Sequence, residues 1–275
     1  MPSTYAHYRM GQEVRRQMKK KEKTIIENYL DLFQIGLHGP DILFYYHPLT
    51  DNSVNRVGFG LHEKSRYSFF ERATKVVKEH GCDQAYLAYV YGVICHFALD
   101  VTCHGYVDEK IRMSGISHGE IEVEFDRELM VRDGFNPISH RLTNHIKSSS
   151  ETANVIKDFY DGISETQVDK ALKNMNFYND LLLAPSRIKR NFIYALLKVS
   201  GNYKEMHGLI VNYKKNERCA DSTQKLMELY ETAKNLAVRL IQEYQTYMMG
   251  EADLDYIYNY TFGSKYVGEQ GREEC

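Results

Sequence analysis

Ala85-Tyr86-Leu87-Ala88-Tyr89-Val90-Tyr91-Gly92-Val93-Ile94-Cys95-His96-Phe97-Ala98-Leu99-Asp100-Val101 is apolar almost all the way round a helix. A helix without a polar face is a buried one. This one nevertheless carries His96 and Asp100, with His104 one turn further on. The spacing i, i+4, i+8 sets the three on one face. An ionised aspartate there costs several kcal/mol, to order of magnitude ~3–5, unless something compensates it. A divalent cation compensates it directly. A buried Asp–His hydrogen-bonded pair is the simpler reading, but it leaves His104 without a role.

Outward from this segment the chain reads as helix nearly throughout. Long alternating β-branched runs are missing, and Gly and Pro fall between helical patterns. Helices are expected near 4–18, 22–36, 62–79, 83–105, 117–131, 150–161, 165–180, 187–199 and 222–249. Ser164 with Gln167, and Ser117 with Glu120, have the spacing of capping boxes. No internal repeat or Pro/Gly/Ser-rich linker divides the chain. The expected organisation is therefore one helical domain over 1–275. It comprises a metal-site half at 1–130, a helical scaffold or substrate half at 131–262, and a disordered tail at 263–275.

Composition narrows the function. The 275 residues are 43% hydrophobic and 26% charged with a net charge of −2, which suits a globular chain and gives no bulk basic field for nucleic acid. No apolar run is expected to reach transmembrane length, and Met1-Pro2-Ser3-Thr4 opens no signal peptide. Cys82, Cys95, Cys103, Cys219 and Cys275 are odd in number and form no CxxC pair. A disulfide framework is not expected, and a cytoplasmic location is. Cys95 and Cys103 read as small core residues beside the polar face.

Histidines crowd the first 118 residues, which places the chemistry there. His118 and Glu122 share a face at the start of a helix, and a His and a Glu one turn apart are common zinc ligands. Glu120, Glu124 and Asp126 are expected to face solvent. Asp41, in Gly39-Pro40-Asp41, is as readily an N-cap as a ligand. His62 is expected to head the helix containing Phe69, Phe70 and Ala73. His38 and His47 flank Asp41 and remain open as substitutes. His7 sits on the first helix.

These residues together resemble the bacterial zinc-dependent phospholipase C family, over roughly residues 3–130. The most specific parts are the His96-x3-Asp100 helix, the following His104, and His118-x3-Glu122 on the next helix. Asp41 and His62 are similar to the family's upstream Asp and His, with Phe69-Phe70 and Ala73 as context, and His7 to its N-terminal His. The resemblance implies an all-α, single multi-helix domain of the zinc-dependent phospholipase C and zinc nuclease type. It implies that Asp41, His62, His96 and Asp100 hold one Zn²⁺, and that His104, His118 and Glu122 hold a second. A third would lie at His7 and Asp100, with Asp100 bridging and the Pro2 amine near it. Asp41 would also serve as general base. The implied substrate is a phospholipid or another phosphodiester. A zinc nuclease or small phosphoester hydrolase, and a non-catalytic metal-binding protein, are the alternatives. Two departures stand out. Three residues separate Asp100 from His104 where the family usually has five, and the family's N-terminal Trp is missing from a chain with no Trp.

Overall fold

The quoted stretch forms α6 (Gln84–Ser114) in the computed structural model, which describes residues 4–201 and 203–267. It begins at Asp83, whose side chain accepts a hydrogen bond from the Ala85 amide, and ends at Gly115 in the left-handed conformation. The helix runs on to Ser114, so His104 lies within it. By length and composition α6 is apolar enough to cross a membrane, contrary to the expectation above. However, 89% of its most apolar window is buried inside the protein, the place of a core helix.

Around α6 stand α1 (Thr4–Gln17), α2 (Lys20–Asn28), α3 (Leu30–Gly36), α4 (Ser53–Glu63), α5 (Arg66–Glu79), α7 (His118–Arg132), α8 (Ser150–Lys157), α9 (Glu165–Leu182), α10 (Arg187–Val199), α11 (Tyr203–Met206) and α12 (Ala220–Met248). The chain is all-α; among the described residues the only β-type pairing is an isolated bridge between Tyr260 and Tyr266. α3 and α12 pack on α6. The α3 crossing is a backbone-to-backbone contact: a Cβ at Gly92 would stand 2.3 Å from the Phe33 carbonyl oxygen, and one at Gly36 2.4 Å from that of Tyr89. α12 lays Leu226, Tyr230, Ala233, Ala237, Leu240, Ile241 and Tyr244 into the core, spaced 3–4 residues apart on one face.

Several boundaries differ from expectation. The helix expected at 22–36 breaks at Tyr29, which leaves helical backbone angles (φ −126°, ψ 46°). The helix expected at 62–79 is two. His62 closes α4, which Asn52 caps, and α5 starts at Arg66 because the Arg66 amide donates to the Tyr260 carbonyl instead of continuing a helix. Glu124 and Asp126 are buried, not solvent-facing. Asp126 accepts from the Tyr5 and Ala6 amides at 2.9 and 2.7 Å, satisfying orphan donors in the first turn of α1. Glu124 accepts from the Asn216 amide, and Glu120 from the Asn216 side chain.

The tail expected from 263 is ordered through 267. Ser264 Oγ donates to the Val101 carbonyl and accepts from the Gly105 amide, strapping the segment across α6. Residues 268–275, and the Pro2 amine, lie outside the described residues. Cys95, Cys103 and Cys219 are buried free thiols and Cys82 is an exposed one.

Candidate metal centre

α6 supplies the centre of the site. His96 and Asp100 are fully buried on its inner face, and His104 follows on the same face. α1 brings His7 so that its ring stacks on His96 at 4.6 Å and its Nε2 lies 3.2 Å from Asp100 Oδ1. The other Asp100 oxygen faces His96 Nε2 at 3.3 Å and His104 Nδ1 at 3.9 Å. Asp41 comes from a 3-10 turn, Gly39–Tyr45, and approaches His96 because Gly39 sits at φ +48° with its Cα against that ring. His62 Nε2 is 2.9 Å from Asp41 Oδ1. From α7, Glu122 Oε1 lies 2.8 Å from His118 Nε2 and 3.6 Å from His104 Nε2.

All eight expected residues thus converge, in three groups with the spacing to hold a metal ion: Asp41, His62 and His96; His104, His118 and Glu122; and His7, His96 and Asp100. His96 stands between the first and third groups.

The donor set fits a cation. His7 and His96 make no hydrogen bond through either ring nitrogen, and Asp41 Oδ1, Asp100 Oδ2, His104 Nε2 and Glu122 Oε2 make none either, although all are buried. Unpaired buried polar atoms are rare, and here they face one another. Two histidines are also fixed from behind. His62 Nδ1 lies 2.8 Å from the Gly58 carbonyl, and His104 Nδ1 2.7 Å from that of Phe262. A carbonyl only accepts, so each Nδ1 carries a proton and each Nε2 is directed toward a carboxylate, where it offers its lone pair to a metal once the ring is neutral. This is the outer-shell arrangement that orients metal-binding imidazoles.

The electrostatics follow from this packing. Burial opposes ionisation of Asp100, but the rings of His96, His104 and His7 hold its carboxyl well below the usual range. Glu122 is held down at about 2 against burial, chiefly by His118. His96 is pushed down to about 4 by burial, which outweighs Asp100 and Asp41. His104 goes the other way: burial is outweighed by Asp100 and Glu122, and its pKa rises to about 10.

The site opens on a cleft of about 710 Å³. His62, His104 and His118 reach its surface, Phe44, Pro48, Leu49, Phe59 and Met206 form apolar wall, and Asp51 and Asp108 are the charged residues of the lining. The His62 and His118 side chains are 23% and 33% exposed while His96 is 0% exposed. The first two groups therefore have an open side, as catalytic metal sites do and structural ones do not.

A family model described as zinc-dependent phospholipase C matches residues 6–178. The chain belongs to the zinc-dependent phospholipase C family. The match extends beyond the expected stretch, through α8 and most of α9. No curated protein and no solved structure matches the chain significantly. At the family level the chain has a zinc-dependent, phospholipase C-like function, and its His and carboxylate groups suit that metal.

Sequence reasoning left His38 open beside Asp41 and missed two neighbours of this centre, His145 and Phe262. His38 and His145 are buried with Nε2 atoms 2.7 Å apart, and the rings of Tyr8, His145, His38 and His7 follow one another toward His96. Phe262 lies 4.9 Å from both His62 and His96, ring to ring. His145 lies more than a hundred residues from His38, and Phe262 more than a hundred from His62 and His96, beyond any local spacing. His47, left open above, is exposed and belongs to none of the groups.

Proposed function

We propose that this chain hydrolyses phospholipids at the phosphodiester, releasing a phosphorylated head group and diacylglycerol. The observation that carries this reading is a single cleft onto which two polar groups open, His62 of one and His104 and His118 of the other, beside an apolar wall of Phe44, Leu49, Phe59 and Met206. A phosphate between acyl-glycerol and a polar head group needs both surfaces. Among the described residues the lining contains no Lys or Arg, which argues against a nucleic-acid backbone as substrate.

Asp41, His62 and His96 would hold one zinc, His104, His118 and Glu122 a second, and His7 with Asp100 a third beside His96, so that His96 rather than Asp100 joins the first and third groups. Bound there, zinc supplies Lewis acidity toward the phosphoryl oxygens and makes water acidic enough to be a nucleophile at neutral pH. The protein's residues do the rest. Gly58 and Phe262 carbonyls fix the His62 and His104 tautomers, and the buried His96–Asp100 pair excludes water from the rear of the site. Asp41, ionised and 2.9 Å from His62, is the carboxylate that receives the proton of the attacking water.

The test compares phosphocholine-ester with nucleotide-ester hydrolysis by zinc-loaded protein, with His118→Ala as control. Hydrolysis of the choline ester, lost in the variant, supports the reading. Equal activity of the variant, or turnover of the nucleotide ester alone, overturns it.

A further inference from the structure

Helix α10 has two apolar faces, and only one is used inside the molecule. Its inner face places Ile193 and Leu197 in a small core with Ala184 and Ile210, separate from the main one, against which Met206 packs. Its outer face shows Ile188 at 84%, Phe192 at 65%, Leu196 at 54% and Val199 at 88% exposure. The spacing 188, 192, 196, 199 makes these one continuous stripe. Four large apolar side chains in a row on a helix surface form a patch of the kind that marks an interaction site.

Charge identifies the partner. α10 carries Arg187, Lys189, Arg190 and Lys198 and no carboxylate, and Glu205 is the only acid between residues 187 and 215 of a chain whose net charge is −2. Arg190 is buried and occupied with the Ala184 and Val211 carbonyls, and Lys189 ties α10 to the end of α9 through the Asp180 and Leu183 carbonyls. Arg187 is exposed at one end of the stripe, and Lys198, exposed as well, holds its Nζ 5.0 Å from the Tyr203 ring centroid at the other. An apolar stripe bracketed by cations suits an anionic bilayer surface, with the stripe in the acyl boundary and the cations at the head groups. A second copy of the chain would set the same cations against each other. Met206, packed with the inner face of α10, also belongs to the cleft wall, and Leu209 beside it would meet a Cβ on Gly119 of α7, so the stripe and the cleft border the same small core.

We propose that the outer face of α10 is a membrane-docking surface that seats the cleft on an anionic phospholipid bilayer. The inference rests on the phospholipid reading of the cleft but is tested apart from it. The zinc-loaded full chain is sedimented on ice with phosphatidylcholine–phosphatidylserine vesicles and with pure phosphatidylcholine vesicles. The protein should favour the mixed vesicles, and the Ile188→Glu, Phe192→Glu double variant should lose about tenfold or more of that partition. Both sites are exposed, and an unchanged melting curve checks folding. An Arg187→Glu, Lys198→Glu variant should lose the preference for anionic vesicles. On a soluble short-chain phosphatidylcholine the apolar-stripe variant should keep wild-type turnover, while on vesicles its turnover falls with its binding. Wild-type co-sedimentation with neither vesicle, or equal co-sedimentation of the double variant, overturns the proposal. So does a lipid-free dimer that the double variant dissolves, which would give the face to a second copy. A wild-type protein that binds vesicles through α10 yet cleaves neither substrate form strikes the hydrolase reading and leaves the docking surface standing.

Discussion

Replacing Asp100 by Asn removes one negative charge from the most buried point of the site while keeping its size. Asp100 is 1% exposed and lies 3.2–3.9 Å from His7, His96 and His104, so no other carboxylate takes its place beside all three rings. Outer-shell partners of metal sites alone change affinity about 10–100-fold, so loss of an anionic ligand weakens zinc binding by about 100-fold at the least. At free zinc one hundred times the wild-type dissociation constant, binding stabilises the folded state by about 2.7 kcal/mol, and in the variant by about 0.4 kcal/mol. The difference, about 2 kcal/mol, corresponds to a zinc-dependent rise in Tm that is about 5–9 °C smaller in Asp100→Asn for a chain of this size. With chelator the variant should melt below wild type, because the rings of His96, His104 and His7 favour the ionised carboxylate in the folded chain. Calorimetry with and without zinc, paired with metal analysis, reads both quantities. If the Asp–His contacts were only hydrogen-bonded pairs, the wild-type Tm would not respond to zinc. An equal zinc increment in variant and wild type would equally refute the assignment.

Zinc binding should release about one proton at pH 7.5, because His104, raised to about 10 by Asp100 and Glu122 in the metal-free chain, must be neutral to coordinate. Titration calorimetry in buffers of different ionisation heat should then give enthalpies that track the buffer; no dependence contradicts it. The chelated protein should lose stability as pH falls below about 6.5, since burial holds His145 down at about 3 while the unfolded imidazole takes up a proton. Each such proton adds about 1.4 kcal/mol per pH unit, so His145→Gln should flatten urea midpoints between about pH 6 and 4 relative to wild type. Gly39→Ala should cost about 1–3 kcal/mol and weaken zinc binding, because its Cβ would stand 2.5 Å from the His96 ring at φ +48°. Wild-type stability and zinc affinity in that variant would show that the approach of this turn to His96 is not needed.

Much of this architecture was legible because the chemistry conflicts with its surroundings. Asp100 in an all-apolar helix demands a partner, and the i, i+4, i+8 spacing of His96, Asp100 and His104 shows which face holds it. The shortened interval before His104 is explained by α6 continuing to Ser114, which keeps all three on that face. The capping box at Ser164 and Gln167 formed as its spacing indicates, whereas at Ser117 the side chain accepts from the Glu120 amide. What stayed hidden depends on contacts far apart in sequence. His62 closes its own helix because the Arg66 amide is taken by Tyr260, and Glu124 and Asp126 are buried because distant backbone amides need acceptors. The His38–His145 contact and the Phe262 carbonyl behind His104 belong to the same class. Local periodicity reports which face is buried, not which residue arrives to cover it.

Zinc held by these groups should let the chain cleave a phospholipid between phosphate and glycerol. Phosphorus NMR of phosphatidylcholine incubated with the zinc-loaded protein tests it most directly. The phosphodiester signal should be replaced by that of phosphocholine, chelator should abolish the change and zinc should restore it. Conversion to phosphatidic acid, or an unchanged spectrum with zinc bound, would contradict it.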